Sequence, residues 1–159
     1  MGGSWESLYI TYLYGPLMKK IEGFVESVIH TNGDIMDKII LLIQRNKKTW
    51  KIAFSLYGIA WPRGEEPYVD EAFELLRQTL VQKRVDVLLE TIDSDGYFVG
   101  TLSESNTHVA ITLLKAGLAK LELVYPRAYY REFRQAQNSA ITKKLKIWEN
   151  NVEPYRNYN

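Results

Sequence analysis

The residues that could do chemistry in this chain are mostly cations, and they fall in two stretches. The first, Arg45 to Lys51, places four cations around Trp50. Cations of this kind neutralise phosphates, and an indole ring can stack on a base. The second stretch is a candidate C-terminal helix, whose basic residues are Arg127, Arg131, Arg134, Lys143, Lys144 and Lys146. Double-stranded RNA is usually recognised through its shape and phosphates. Both stretches therefore predict phosphate binding.

Each basic stretch also has a purely structural interpretation. Arg45, Lys47, Lys48 and Lys51 could solubilise a hairpin whose Trp50 packs inward. The cations near the C-terminus could form the wet face of an amphipathic helix. The sequence leaves both alternatives open.

Metal, thiol and cofactor chemistry have little support in this sequence. The chain has no cysteine and two isolated histidines, His30 and His108, without a spacing that holds a metal. The segment 93–96, Asp-Ser-Asp-Gly, opens like a calcium loop, but it lacks the later ligands and reads as a turn. We therefore expect no metal site and no cofactor.

Composition predicts one globular domain. The chain has 159 residues, of which 46% are hydrophobic and 25% charged, and a formal net charge of +1. No run of about 18 apolar residues is present, so we expect no membrane span. The first residues, Met-Gly-Gly-Ser, resemble a leader or a ragged terminus rather than a signal peptide.

The apolar pattern predicts five strands and three helices. The first half is predicted to hold a strand from Ile21, a turn at 32–34, strands over 35–43 and 50–59, and a helix over 69–80. Strands over 85–89 and 97–102 follow, and then a helix that is capped by Ser105 or Asn106 and ends at Gly117. The prediction closes with an extended segment over 119–124 and a helix over about 127–145, whose end is held in place by Trp148. This order predicts an α+β, mainly β fold. Its centre is a five-stranded OB-fold Greek-key barrel, a class that binds oligonucleotides and oligosaccharides.

The sequence phrases of the barrel carry a family resemblance. Residues 53–63, Ala-Phe-Ser-Leu-Tyr-Gly-Ile-Ala-Trp-Pro-Arg, resemble the active-site strand of staphylococcal-nuclease domains. The resemblance runs over about 22–150. It is most specific to the fourth nuclease-like repeat of the Tudor staphylococcal nuclease family. The further phrases that carry it are Glu-Pro-Tyr-Val-Asp-Glu-Ala (66–72), Lys-Arg-Val-Asp-Val (83–87), Asp-Gly-Tyr-Phe-Val-Gly (95–100), Gly-Leu-Ala-Lys-Leu (117–121) and Leu-Lys-Ile-Trp-Glu (145–149).

The resemblance implies a division of the chain into three parts. Residues 1–17 would be a leader or inter-repeat segment, residues 18–150 the nuclease-like domain, and residues 151–159 a linker toward a following Tudor domain. The apolar and aromatic residues of the first segment would then suit packing against a neighbouring repeat.

The resemblance also implies that the catalytic groups are missing. Active members carry an arginine where this chain has Ser55, and end the strand in Asp-Thr-Pro-Glu, where this chain has Ala60 and Arg63 at the two acids. Tyr97 stands where a second arginine is expected, and Asp34 is the vestige of a calcium site. General bases and charge donors each contribute about 10² to 10⁴ in rate, so we expect almost no phosphodiester cleavage.

The groove that the missing catalytic groups would leave could stack bases on Trp61 and Arg63, with Tyr57 and Tyr97 beside them. Alternatively, Trp61 could simply fill space. An acidic patch close to that groove would repel phosphates. Its residues are Glu65, Glu66, Asp70, Glu71 and Glu74.

The resemblance implies a non-enzymatic domain that binds single- or double-stranded RNA and acts as a scaffold in gene regulation or RNA silencing, although the parent family is associated with RNA cleavage. Neighbouring nuclease-like repeats, the Tudor domain and other proteins would be its partners, in the cytoplasm and also the nucleus. A purely structural or protein-binding repeat is the alternative, and a calcium-dependent endonuclease is a third.

Overall fold

The computed structural model of the chain describes residues 20–29, 38–94, 96–122 and 129–150. In chain order the elements are β1 (Lys20–Ile29), β2 (Lys38–Arg45), β3 (Lys48–Leu56), β4 (Ile59–Ala60), α1 (Val69–Leu80), β5 (Arg84–Ile92), β6 (Phe98–Glu104), β7 (Thr107–His108), α2 (Val109–Lys115), β8 (Lys120–Leu121), α3 (Tyr130–Thr142) and a 3₁₀ helix (Lys146–Trp148).

Five of the strands form a closed barrel in the order β3, β2, β1, β5 and β6. Neighbours in this order are antiparallel, and the barrel closes where β3 and β6 pair in parallel, from Phe54 opposite Phe98 to Leu56 opposite Gly100. Closure leaves the barrel without an open edge. The predicted α+β fold, with its five-stranded OB-type barrel and three helices, is confirmed.

The core follows from the alternation of side chains along the strands. Ile39, Leu41 and Ile43 of β2 are almost fully buried and belong to one core cluster with Phe54 and Phe98. The residues between them on β2, such as Leu42, are turned to the outer face. The barrel interior is therefore filled by aliphatic and phenyl groups.

The helices cover the barrel through apolar stripes at helical spacing. Helix α1 buries Val69, Ala72, Leu76 and Leu80, as the sequence predicts for 69–80. Helix α3 buries Phe133, Ala136 and Ala140. A side chain of α3 also extends to the short β4–β8 sheet, because Gln137 Oε1 accepts a hydrogen bond of 2.7 Å from the backbone N–H of Leu121.

The C-terminal 3₁₀ helix is fixed to the end of α2. Gly117 follows that helix with a φ of 75°, and its carbonyl accepts a hydrogen bond of 3.1 Å from the N–H of Ile147. A Cβ at Gly117 would lie 2.5 Å from the carbonyl oxygen of Leu145. Glycine at this position is therefore required both by the backbone conformation and by the close packing, and the predicted end of the helix is confirmed.

Two local predictions are wrong. Ser105 and Asn106 form the left-handed turn between β6 and β7, with φ of 51° and 64°, so His108 takes the N-cap position of α2 without a side-chain cap. The strand predicted over 50–59 is interrupted at Tyr57 and Gly58, where the chain turns into β4. Asn106 and Gly58 adopt the left-handed conformation that Asn and Gly tolerate. This conformation forms a turn at each position, where the sequence predicts a helix cap and a continuous strand.

Helix α3 is also shorter than predicted, because the chain turns at Lys143 and Lys144 instead of continuing to Leu145. The predicted turn at 32–34 and both terminal segments, 1–17 and 151–159, lie outside the described residues. Among the described helices, none combines the length and the apolar character needed to cross a bilayer.

Gly100 offers a test of how the barrel closes. A Cβ at this position would lie 2.0 Å from the carbonyl oxygen of Leu88, so Gly100→Ala must displace backbone. We expect a loss of about 2 to 3 kcal/mol in the free energy of unfolding, measured by denaturant titration. Gly23→Ala in β1 is the matched control, because its Cβ would meet only ordinary contacts of 3.5 Å or more. Equal stability of the two variants would contradict this account.

His108 offers a test of how α3 is packed. Its ring lies 4.1 Å from that of Tyr129 and 5.7 Å from that of Phe133. Burial lowers the pKa of His108 below its ordinary value of 6.5, and nearby Lys20 lowers it further while Glu132 raises it. The unfolded chain therefore binds the proton more tightly than the folded chain. The contribution of His108 to the free energy of unfolding is fully present above pH 6.5, and it is lost as the pH falls toward the pKa of the folded state.

We expect the melting temperature to decrease between pH 7 and pH 5 in the native chain. The decrease should be smaller in His108→Phe, which keeps a ring but removes the titrating group. An identical pH dependence in both proteins would show that His108 is not responsible.

Candidate functional site

The end of β3 holds a small polar cluster inside an otherwise apolar wall. Ser55 is buried, and its Oγ accepts a hydrogen bond of 3.1 Å from Lys38 Nζ. Lys38 is itself only 9% exposed, and its ammonium lies 4.5 Å from the centroid of the Tyr97 ring. The cluster therefore consists of one cation, a hydroxyl and an aromatic face.

Lys38 is a site residue that the sequence did not single out. Its signal was a charged residue at the start of the apolar run Ile39 to Ile43. Because β2 and β3 are antiparallel with Ile39 opposite Phe54, Lys38 comes next to Ser55 across the strands. The register of the hairpin, which the sequence left open, makes this contact.

Lys38, Ser55 and Tyr97 bring no carboxylate of their own, but that of Asp93 adjoins them, because its Oδ1 accepts a hydrogen bond of 2.9 Å from the backbone N–H of Tyr97. No group of three or more histidines, cysteines or carboxylates that could hold a metal occurs in the described part of the chain. Asp34 lies outside that part. The cluster can hold an anion or simply stabilise the end of the barrel.

The residues after β3 are placed by β4 and the turn that follows it. Trp61 is 7% exposed, and its Nε1 has no hydrogen-bond partner among the described residues. Of the two alternatives for Trp61, its burial in the core cluster fits the space-filling one, and base stacking by this ring stays a prediction. Arg63 is exposed, and its backbone N–H donates to Glu66 Oε1 at 2.7 Å.

A groove of about 620 Å³ lies beside Ser55, between the β3–β4 turn, β6 and β8. Its charged residues are Asp93, Glu122 and Lys120, and Tyr57 contributes an aromatic ring. Two carboxylates against one ammonium make this groove electrostatically poor for phosphates. We name it the vacated groove.

A second pocket, of about 270 Å³, shares Ala60 and Lys120 with the vacated groove and is also lined by Trp61 and Tyr68. A hydrogen bond to Glu149 raises the pKa of Tyr68 to about 12, with smaller contributions from burial and from the charges of Glu149 and Glu71. Lys146 forms an ion pair of 2.8 Å with Glu71. Part of the predicted acidic patch, including Glu66, thus borders this pocket.

The basic hairpin between β2 and β3 turns at Asn46 and Lys47, whose φ angles are 54° and 63°. Lys47 and Lys48 are exposed. Trp50 is 5% exposed, and its Nε1 donates a hydrogen bond of 3.2 Å to the carbonyl of Arg45. The indole therefore packs inward, as one of the two alternatives for this hairpin expects, and base stacking by Trp50 stays a prediction.

The remaining predicted cations lie apart from the vacated groove. Lys51 pairs with Glu26 at 2.8 Å, and on α3 the exposed cations include Arg131 and Arg134. Arg134 lies over the ring of Tyr130 at 5.7 Å. Lys143 and Lys144 follow α3 and are exposed, whereas Arg127 lies outside the described residues.

Comparison with known proteins places this geometry in a family. The model of the family described as "Staphylococcal nuclease homologue" matches residues 53–150. The chain belongs to the staphylococcal nuclease family. The match starts inside β3 and includes the vacated groove and all three helices.

Curated relatives of this staphylococcal nuclease homologue come from plants and animals. Ribonuclease TUDOR 1 of Arabidopsis thaliana is 44% identical over 110 residues, and Ribonuclease TUDOR 2 of the same plant is 40% identical over 114 residues. Staphylococcal nuclease domain-containing protein 1 of Drosophila melanogaster is 31% identical over 122 residues. Each alignment covers 67% of this chain but only 11%, 11% and 13% of the relative, in that order.

The resemblance to Tudor staphylococcal nuclease proteins is therefore confirmed at the level of the family. Assignment to the fourth repeat stays a prediction. The positions that the resemblance in the sequence assigns to catalytic groups hold the buried Ser55, the half-buried Ala60 and Tyr97, and the exposed Arg63, and their catalytic assignment stays a prediction.

The contact between Lys38 and Tyr97 can be tested by a double-mutant cycle. The ring faces a largely buried ammonium, so we expect a coupling of about 1 kcal/mol between Lys38→Met and Tyr97→Leu in the free energy of unfolding. Tyr97→Phe is the control, because it keeps the ring and should keep the coupling. Additive effects of the two substitutions would exclude an energetic contact.

Proposed function

We propose that this chain is a catalytically degenerate nuclease-like domain that binds RNA through phosphate contacts. The observation that supports the proposal is the cluster at the end of β3, where Ser55 and Tyr97, at two positions that the sequence resemblance assigns to catalytic arginines, both contact Lys38. Cleavage needs a base and charge donors positioned at the phosphate. Binding needs only exposed cations.

The exposed cations of the barrel and helix supply that binding. Lys47 and Lys48 project from the β2–β3 hairpin, and Arg131 and Arg134 from α3. The names of the plant relatives include the word ribonuclease, which supports RNA as the class of nucleic acid. We assign to the domain a role in RNA binding and scaffolding within a longer protein, in the position of the fourth nuclease-like repeat.

The wider setting is also part of the proposal. Neighbouring nuclease-like repeats and a Tudor domain would be its partners in the same chain, and its work would lie in gene regulation or RNA silencing in the cytoplasm and nucleus. The alternative is a repeat that only packs against protein partners. The vacated groove favours this alternative at its own position, since its walls carry more negative than positive charge.

RNA binding by the chain tests the proposal directly. We expect single-stranded RNA to bind with an affinity that falls steeply with salt and does not depend on calcium, because phosphate neutralisation releases counterions. The RNA should stay intact in calcium and in chelator. The measurement is fluorescence anisotropy over a salt series, with the RNA examined on a denaturing gel afterwards.

Two results would contradict the proposal in different ways. Calcium-dependent turnover of the RNA would show that the domain is an enzyme. Absence of binding at low salt would favour the protein-packing alternative.

A further inference from the structure

The outer face of β1 carries an aromatic ring in a setting that the proposed function does not yet use. Gly23 and Val25 are buried, so the side chain of Phe24 between them points away from the core. Phe24 is half-buried, and it pairs with Leu42 on β2 and with Arg84 on β5. Leu42 in turn lies opposite Lys51 on β3.

This register creates a row across four strands of the barrel. A cation stands at each end, Lys51 on β3 and Arg84 on β5, with Phe24 and Leu42 between them. The row joins basic groups to an apolar, aromatic centre. We name the surface around it the outer-face groove.

The outer-face groove has a volume of about 590 Å³. Phe24 and Leu42 line it together with three cations, Lys20, Arg45 and Arg84, and a single carboxylate, that of Glu22. The vacated groove, with two carboxylates and one ammonium, has the opposite balance. Phosphates are therefore favoured at the outer-face groove over the former active site.

Nearby carboxylates hold the cations in place without removing them from solvent. Arg84 pairs with Glu22 at 3.1 Å and Lys51 with Glu26 at 2.8 Å, while more than half of each cationic side chain stays exposed. Exposed ion pairs are weak, so a phosphate can replace the carboxylate partner. Arg45 has no ion-pair partner among the described residues.

We infer that the outer-face groove binds single-stranded RNA, with a base stacked on Phe24 and the flanking phosphates held by Arg45 and Arg84, an inference that rests on the proposed function. Stacking on a side chain requires a base whose face is free, and duplex bases are already stacked on one another. The groove therefore selects single strands. The hairpin cations Lys47 and Lys48 extend the path of the backbone beyond it.

The inference is tested by anisotropy titrations of the full chain with oligo-uridine and with an RNA duplex of the same length. Phe24→Leu removes the ring but keeps an apolar side chain, and we expect it to weaken binding of the single strand about tenfold. Its salt dependence should stay that of the native chain. Arg45→Gln should lower the slope of log affinity against log salt by about 0.7, the effect of one phosphate contact on a single strand.

Arg77→Gln on α1 is the matched control for the loss of one exposed cation, because Arg77 is paired with Glu74 and lies in none of the described grooves. It should bind like the native chain. Melting temperatures of all variants show whether each one is folded.

The outcomes separate the inference from the function on which it rests. Native chain that binds RNA while Phe24→Leu and Arg45→Gln bind equally well would overturn the groove and leave the proposed function in place. Tighter binding of the duplex would overturn the selection of single strands. Native chain that binds neither RNA would overturn the proposed function and the groove with it.

Discussion

The parallel pairing of β3 with β6 is the constraint on which the rest of the structure depends. It closes the barrel at Gly100, whose backbone lies against Leu56 on one side and Leu89 on the other. The same closure brings Tyr97, just before β6, to the end of β3 where Ser55 lies. The contacts of Lys38 with both residues lie at this closure, where a Cβ at position 100 would be 2.0 Å from the carbonyl oxygen of Leu88.

The barrel separates two surfaces of different chemistry. At the end of β3 the ammonium of Lys38 is buried between the hydroxyl of Ser55 and the ring of Tyr97. The adjoining vacated groove has two carboxylates and one ammonium. On the outer face of β1 and β2, cations surround an aromatic side chain. Barrel closure fixes both faces at once, so the proposed recognition on the outer face uses the same strands as the polar cluster.

Much of this fold can be predicted from the sequence, and the limits have physical causes. Val69, Leu76 and Leu80 at helical spacing, and the glycine at 117, are local signals, so α1 and the end of α2 are predictable. Phe24 and Lys38 are not, since their significance arises from cross-strand register, which depends on pairing between distant segments. For Trp50 and Trp61 the sequence leaves packing and base stacking open, because burial is decided by the barrel as a whole.

The position of β1 and β2 has a practical consequence for anyone who isolates this unit. The family match begins at residue 53, but β1 and β2 both precede that residue and are two of the five strands of the barrel. A fragment cut at the match boundary would retain the helices and the vacated groove but present unpaired strand edges to solvent. Such edges join other chains, so the fragment would aggregate rather than report on the native domain.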